Sequence, residues 1–264
     1  MASAPQPALP LFYNDLMPLN SRDHVKYKIT PPSGFTWLVN QHAVPVTTDE
    51  FVQAQRHYPI VFSAGDNSVP LALMGLNEGV NTFIDDEGKV TEDVYIPAYA
   101  RRYPYMLARL TPDSEDLSLC FDPTFTSLGE SEEGEPLFQE DGTPAAQVQG
   151  ALEFCQKFEE AGARTQAFVA ELEKAGVLMD GEVAITANET PDTPYLYRGF
   201  KMVDDTKLRE ISPETAKEWT GNGIMALVFA HLFSMDNMRI IFSRQANQGK
   251  VPPLEQDAAA PAVN

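Results

Sequence analysis

The densest chemistry in this 264-residue chain lies in eleven residues, Tyr95-Ile-Pro-Ala-Tyr-Ala-Arg-Arg-Tyr-Pro-Tyr105. A guanidinium fork binds carboxylates bidentately and stacks on aromatic faces, and a phenol ring offers an apolar body with a polar tip. Tyr95, Tyr99, Arg101, Arg102 and Tyr103 are therefore candidate partner-binding residues, suited to a peptide or a carboxylate. A structural reading competes with this one: the rings and prolines pack a strand-to-helix corner, and the arginines pair with nearby acids. Adjacent side chains point to opposite faces of a strand and diverge by about 100° on a helix. The two arginines are thus not expected to serve one site, and we assign Arg102 to structure and Arg101 to the partner.

No catalytic constellation accompanies the run. The four histidines, His24, His42, His57 and His231, stand apart, with no second histidine three or four residues away and no His-Glu-x-x-His pattern. His231 falls in the most apolar helical stretch and reads as a hydrogen-bonded core histidine. No Gly-x-Ser-x-Gly or phosphate-binding loop occurs. Cys120 lacks the neighbouring cation or histidine base that would make it a nucleophile. Cys120 and Cys155 both read as small buried residues without a disulfide between them, since the chain is neither short nor cysteine-dense. The acidic run 129–136 reads as a solvated loop, because its spacing does not follow that of a calcium-binding loop. No catalytic, cofactor or metal residue is assigned.

Charge narrows the partners. Thirty-eight acids against 19 Lys and Arg leave a net charge of −19, which repels polyanions, and no basic block overrides it. Nucleic acid is not expected as a partner. The N-terminus has no positive charge ahead of a hydrophobic block, so a secretory signal is not expected. The longest apolar stretch, Ile224–Met235, is interrupted by His231 and falls short of the roughly 20 residues that span a bilayer. The expectation is a cytoplasmic protein with no integral membrane contact.

The elements needed to hold the Tyr95–Tyr105 run divide unevenly along the chain. Residues 35–39, 58–62, 71–74, 81–85 and 117–122 read as short strands on their aromatic and β-branched content, with a capped helix at 48–57 between the first two. After residue 144 the spacing of Val148, Leu152, Cys155, Phe158, Phe168 and Leu172 turns helical, with Gly162 as a possible divide. Residues 195–203 read as strand. Ser212-Pro213 opens a helix, glycines 221 and 223 break it, and two helices follow at 224–235 and 237–246. Strands first and helices later predict an α+β fold, mainly β in its N-terminal half and packed with a helical C-terminal half. Residues 1–24 are expected to form a loosely ordered arm, 25–246 a single domain, and 247–264 a disordered tail.

Read in order, these residues resemble the SapC family of bacterial proteins, named for an association with surface-layer arrays. The resemblance rests on Phe51 with Tyr58-Pro-Ile-Val-Phe62, Gly79-Val-Asn-Thr-Phe-Ile-Asp85, the Tyr95–Tyr105 run, Leu137-Phe-Gln-Glu-Asp-Gly-Thr-Pro144, Tyr197-Arg-Gly-Phe200 and Ala230-His-Leu-Phe-Ser234. It spans roughly residues 25–243. Tyr105, Ala100 and Lys89-Val90 depart from the pattern by changes of packing size. With no catalytic motif in view, the expectation is a soluble accessory or binding protein that recognises a peptide or an exported surface protein. A peptide-modifying enzyme with a site assembled from dispersed residues, and a structural subunit of an assembly, are the alternatives.

Overall fold

A computed structural model describes residues 9–111, 116–186 and 193–252. Its central element is a five-stranded antiparallel sheet in the order Leu178–Asp180, Phe200–Val203, Ile60–Ser63, Pro70–Leu73, Ala43–Pro45. Two of these strands come from the C-terminal half, so the sheet itself ties the two halves together. A second sheet pairs Met17–Pro18 with Ser118–Phe121 and that strand with Tyr105–Ala108. A third sets Tyr27–Ile29 between Leu128–Glu130 and Glu135–Pro136. The hairpin Val183–Ile185 and Tyr195–Tyr197 stands apart. The fold is α+β, with most strands before residue 144 and the long helices after it.

One helix, Ala146–Ala175, spans both hydrophobic cores. At 1.5 Å per residue its 30 residues extend about 45 Å. Its N-terminal half places Val148 and Cys155 beside Tyr103, Tyr105 and Phe121; its C-terminal half places Phe168, Val169 and Leu172 beside Phe51, Phe62 and Tyr58. Gly162 does not divide it: the helix runs through, and it stops where Gly176 takes a left-handed φ of 67°.

The C-terminal helices are Pro213–Asn222, Ile224–Ser234 and Asn237–Asn247. The Ser212 side chain accepts from Thr215 N–H at 3.0 Å to cap the first of them, and Gly223, at φ 88°, turns the chain into the second. His231 is fully buried against the central sheet. Its Nδ1–H donates to Ile60 O at 2.6 Å and its Nε2 accepts from Val203 N–H at 3.0 Å, which fixes the tautomer. Pairing between those two strands runs from Phe200↔Ser63 to Lys201↔Phe62, and the imidazole bridges them two residues further on. It satisfies backbone groups that the ladder leaves open.

Taken together, Ile224–Asn247 is 24 residues long, and an 18-residue window within it has a mean hydropathy of 1.4, enough by length and composition to cross a membrane. That is longer than the sequence reading allowed. Two turn residues, Met235 and Asp236, divide the stretch into two helices, and it carries polar groups bonded to the rest of the fold. Ser234 Oγ accepts from Ile60 N–H at 2.8 Å, Asn237 Nδ2 donates to Gln55 O at 2.8 Å, and Gln245 Oε1 accepts from Leu76 N–H at 2.7 Å.

Four local expectations are corrected. Residues 35–39 are not a strand but a 3₁₀ turn, Thr36–Leu38, with Leu38 driven into the core. Gly34 sits so close to the 85–88 turn that a Cβ there would lie 2.4 Å from Gly88 O, and Phe35 N–H donates to that same oxygen at 2.6 Å. Residues 81–85 form no strand; one isolated bridge joins Ile84 to Val90. The Asn81 side chain takes the place of a ladder, accepting from Phe83 N–H and Ile84 N–H and donating to Leu38 O and Gln41 O. The arm expected to be loose up to residue 24 is built in from residue 10: Tyr13 Oη donates to Tyr105 O at 2.7 Å, and His24 is buried against Tyr27 and Phe121. At the other end, Lys250 donates its backbone N–H to Gln245 O and its Nζ to Asn81 O, so the first residues of the expected tail are docked. Residues 1–8 and 253–264 lie outside the described residues.

Candidate recognition site

The Tyr95–Tyr105 run is a corner: extended to Pro97, one helical turn at Ala98–Arg101, then the strand Tyr105–Ala108, with a cis Tyr103–Pro104 bond between. Its anchor is Glu50. That carboxylate is buried, and both oxygens are used. Oε2 accepts from Thr47 N–H and Thr47 Oγ1, each at 2.8 Å; Oε1 accepts from Tyr95 Oη at 2.9 Å and from Ala98 N–H at 2.6 Å. The first pair closes a capping box at the start of the 48–54 helical segment, and the second pins the corner to it. Charge-assisted bonds of this kind are about twice as strong as neutral ones. Burial and the Glu50 charge push the Tyr95 phenol up to about 12, against a smaller lowering by Arg101.

The five candidate residues part company here. Arg102 is buried, its guanidinium 4.4 Å from the ring centres of both Tyr99 and Phe158, with Glu159 at 3.5 Å. Its Nε has no protein partner. Tyr99 is buried beneath it and donates Oη to Leu11 O at 3.3 Å. Tyr103 is buried in the other core and donates to Asp122 Oδ2 at 3.2 Å; burial and the Asp122 charge hold its phenol up at about 12. Burial pushes the Asp122 carboxyl up too, but bonds from Asn14, Thr124 and Tyr103 outweigh it and hold it below the ordinary carboxylate range.

Arg101 points outward. Its Nε donates to Ile96 O at 2.9 Å and one terminal nitrogen donates to Tyr95 Oη at 3.0 Å, while the guanidinium lies between the Tyr95 and Phe154 rings at 5.4 and 5.3 Å. The fork is oriented, yet three of its five N–H groups have no protein partner among the described residues. It borders an open groove of about 580 Å³ with Phe35, Arg56, His57, Asp93 and Tyr95. In a chain with twice as many acids as bases, this groove brings together two arginines and a histidine against one aspartate.

Sequence reasoning missed Glu50, Phe154, Phe158 and the groove partners Arg56 and His57. Thr47-Thr-Asp-Glu50 was a readable capping box. Phe154 and Phe158, four apart on a helix, share a face, but nothing local says that the face meets two arginines from another segment.

Among the described residues no three His, Cys, Asp or Glu side chains gather as a metal cluster would. Cys120 and Cys155 are buried free thiols, and burial pushes both upward, Cys155 to about 11. The fold and the groove together define an α+β protein with an oriented cation at its surface. A family model described as SapC matches residues 19–241, and the chain belongs to the SapC family. No curated protein and no solved structure matches it.

Proposed function

We propose that this chain is a soluble, cytoplasmic binding protein that holds a peptide or exported-protein segment by a carboxylate in the Arg101 groove. The observation that carries the reading is Arg101 itself. Two bonds and two flanking rings fix its plane while most of its donors stay open. A carboxylate meeting such a fork makes two parallel N–H···O bonds without first ordering the arginine. Phe35 and the Tyr95 ring offer apolar contact beside it, and Arg56 and His57 extend the cationic side.

The test is fluorescence anisotropy with a library of labelled peptides, each made with a free and an amidated C-terminus and with Glu or Gln at internal positions. We expect carboxylate-bearing members to bind about tenfold or more tightly, equivalent to about 1.4 kcal/mol, and Arg101→Gln to abolish that preference. Equal binding of charged and neutral peptides, or an unchanged preference in Arg101→Gln, would refute the proposal.

A further inference from the structure

A second opening lies on the other side of the 34–37 turn, between the N-terminal segment and residues 124–127. It is a cleft of about 580 Å³, and none of its 14 lining residues is charged. At the chain's 22% charged content about three would be. Close behind it, the Asp122 carboxylate has both oxygens occupied: Oδ2 by Asn14 N–H and Tyr103 Oη, Oδ1 by Thr124 N–H and Oγ1. A charged ligand would find no counter-charge here and would pay its desolvation unopposed.

Two kinds of group line the cleft instead. The first is a set of packed rings, edge to face at Phe125 and tilted between Trp37 and Tyr103. Trp37 lies 5.0 Å from Tyr103 and 5.7 Å from Phe125, Tyr103 lies 5.3 Å from Phe125, and the Trp37 Nε1–H is tied to Ala100 O at 3.1 Å. Phe12 completes the wall at a φ of 81°. A bulky residue in the left-handed region is strained. The fold holds it there through a turn from Tyr13 N–H to Pro10 O and an edge contact with Tyr99. The second kind is a neutral polar rim. The side chains of Ser33, Thr36, Gln41 and Thr126 have no protein partner among the described residues, so their hydroxyls and amide are free to donate and accept.

We propose that this cleft is a binding site for a neutral saccharide. A sugar ring presents apolar C–H faces and equatorial hydroxyls at once. The faces stack on fixed aromatic rings, and the hydroxyls exchange bonds with short neutral side chains that need not be desolvated as ions. A purely apolar ligand would strand the rim groups, and a phosphorylated or carboxylated one would lack a cation. The site is distinct from the Arg101 groove: Phe35 borders that groove, and Trp37 borders this cleft.

The chain has two tryptophans, Trp37 and the buried Trp219, so ligand-sensitive indole emission reports the cleft. The full-length protein is titrated with neutral oligosaccharides of glucose (α-1,4 and β-1,4), xylose, galactose and N-acetylglucosamine, and with galacturonate oligomers as the anionic comparison. Acrylamide quenching and calorimetry are the readouts. We expect saturable protection of Trp37 by at least one neutral series, with a Kd between about 10 μM and 1 mM. Binding should weaken at least tenfold in a Gln41→Leu, Thr126→Val variant that melts as the wild type does, and should be unchanged in Arg101→Gln. The proposal is overturned if no neutral series saturates, if galacturonate binds as tightly, or if the rim variant binds normally. Should the rim variant melt early, Thr126→Val alone, on an exposed turn, decides by the same loss.

Discussion

Replacing Arg102 by alanine should destabilise the fold by about 3–4 kcal/mol, while the same change at its neighbour Arg101 should be almost silent. The Arg102 guanidinium is buried in the corner of an edge-to-face ring pair, 4.4 Å from the centres of both Tyr99 and Phe158. Desolvated cation–π contacts are worth about 1–2 kcal/mol each. The Glu159 partner is half-exposed and adds less than about 1 kcal/mol. Truncation also empties the space its aliphatic stem fills between the long helix and the corner. For a chain of this size the loss corresponds to a fall of about 8–12 °C in Tm. One feature pulls the other way: the buried Nε has no partner, so part of the cation's burial is uncompensated. Arg102→Met keeps the stem and removes that penalty, and should lose only about 1 kcal/mol. Arg101→Ala should stay within about 0.5 kcal/mol, as at an ordinary surface position. Urea and thermal unfolding followed by circular dichroism measure all three. An Arg102→Ala protein within 1 kcal/mol of wild type would refute the two ring contacts as a source of stability, and a methionine variant as damaged as the alanine one would refute the assignment of its effect to packing.

Burial pushes the His231 pKa down to about 4, so the unfolded chain binds a proton there between pH 6.5 and 4 that the folded chain refuses. His231 should therefore cost nothing above pH 6.5 and remove about 3 kcal/mol of stability as pH falls to 4; the slope of stability against pH over that window should flatten in His231→Gln. Asp122→Asn should cost about 1–3 kcal/mol in urea unfolding, since the amide cannot accept all four bonds that tie residues 14, 103 and 124 together. Cys120 and Cys155, each 1% exposed, should resist a thiol reagent such as DTNB in the native protein and react at the rate of global unfolding; prompt native labelling of either would contradict their burial.

Much of the architecture was legible because it rests on local signals. Ser212-Pro213 announces a helix start, which stands as read, and the spacing from Val148 to Leu172 announces helix, which runs unbroken through Gly162. The failures fall where a side chain does a backbone's work. Asn81 looked like part of a strand by its neighbours' β-propensity, yet its amide satisfies four backbone groups and holds the segment out of any sheet. The docking of residues 10–24 was invisible for a different reason. Its partners, Tyr105 and Asp122, lie about a hundred positions away, and no periodicity within residues 10–24 reports them.

The 35–39 error bears directly on the candidate sites. In a strand, residues two apart share a face, so Phe35 and Trp37 would have looked the same way. With the 3₁₀ turn at Thr36–Leu38 the two rings meet edge to face at 5.4 Å, and one aromatic borders the cationic groove while the other borders the uncharged cleft. Gly34 makes that turn possible by letting its backbone pass where a Cβ would strike Gly88 O. The Tyr95–Tyr105 run shows the same division from its own side. Glu50 clamps its start, Arg102 and Tyr99 are consumed by the core, Tyr103 floors the cleft, and Arg101 alone keeps its charge at the surface. Arg101 ends the helical turn, Arg102 caps it and Tyr103 lies past it, and this change of backbone sends three neighbouring side chains to three different environments.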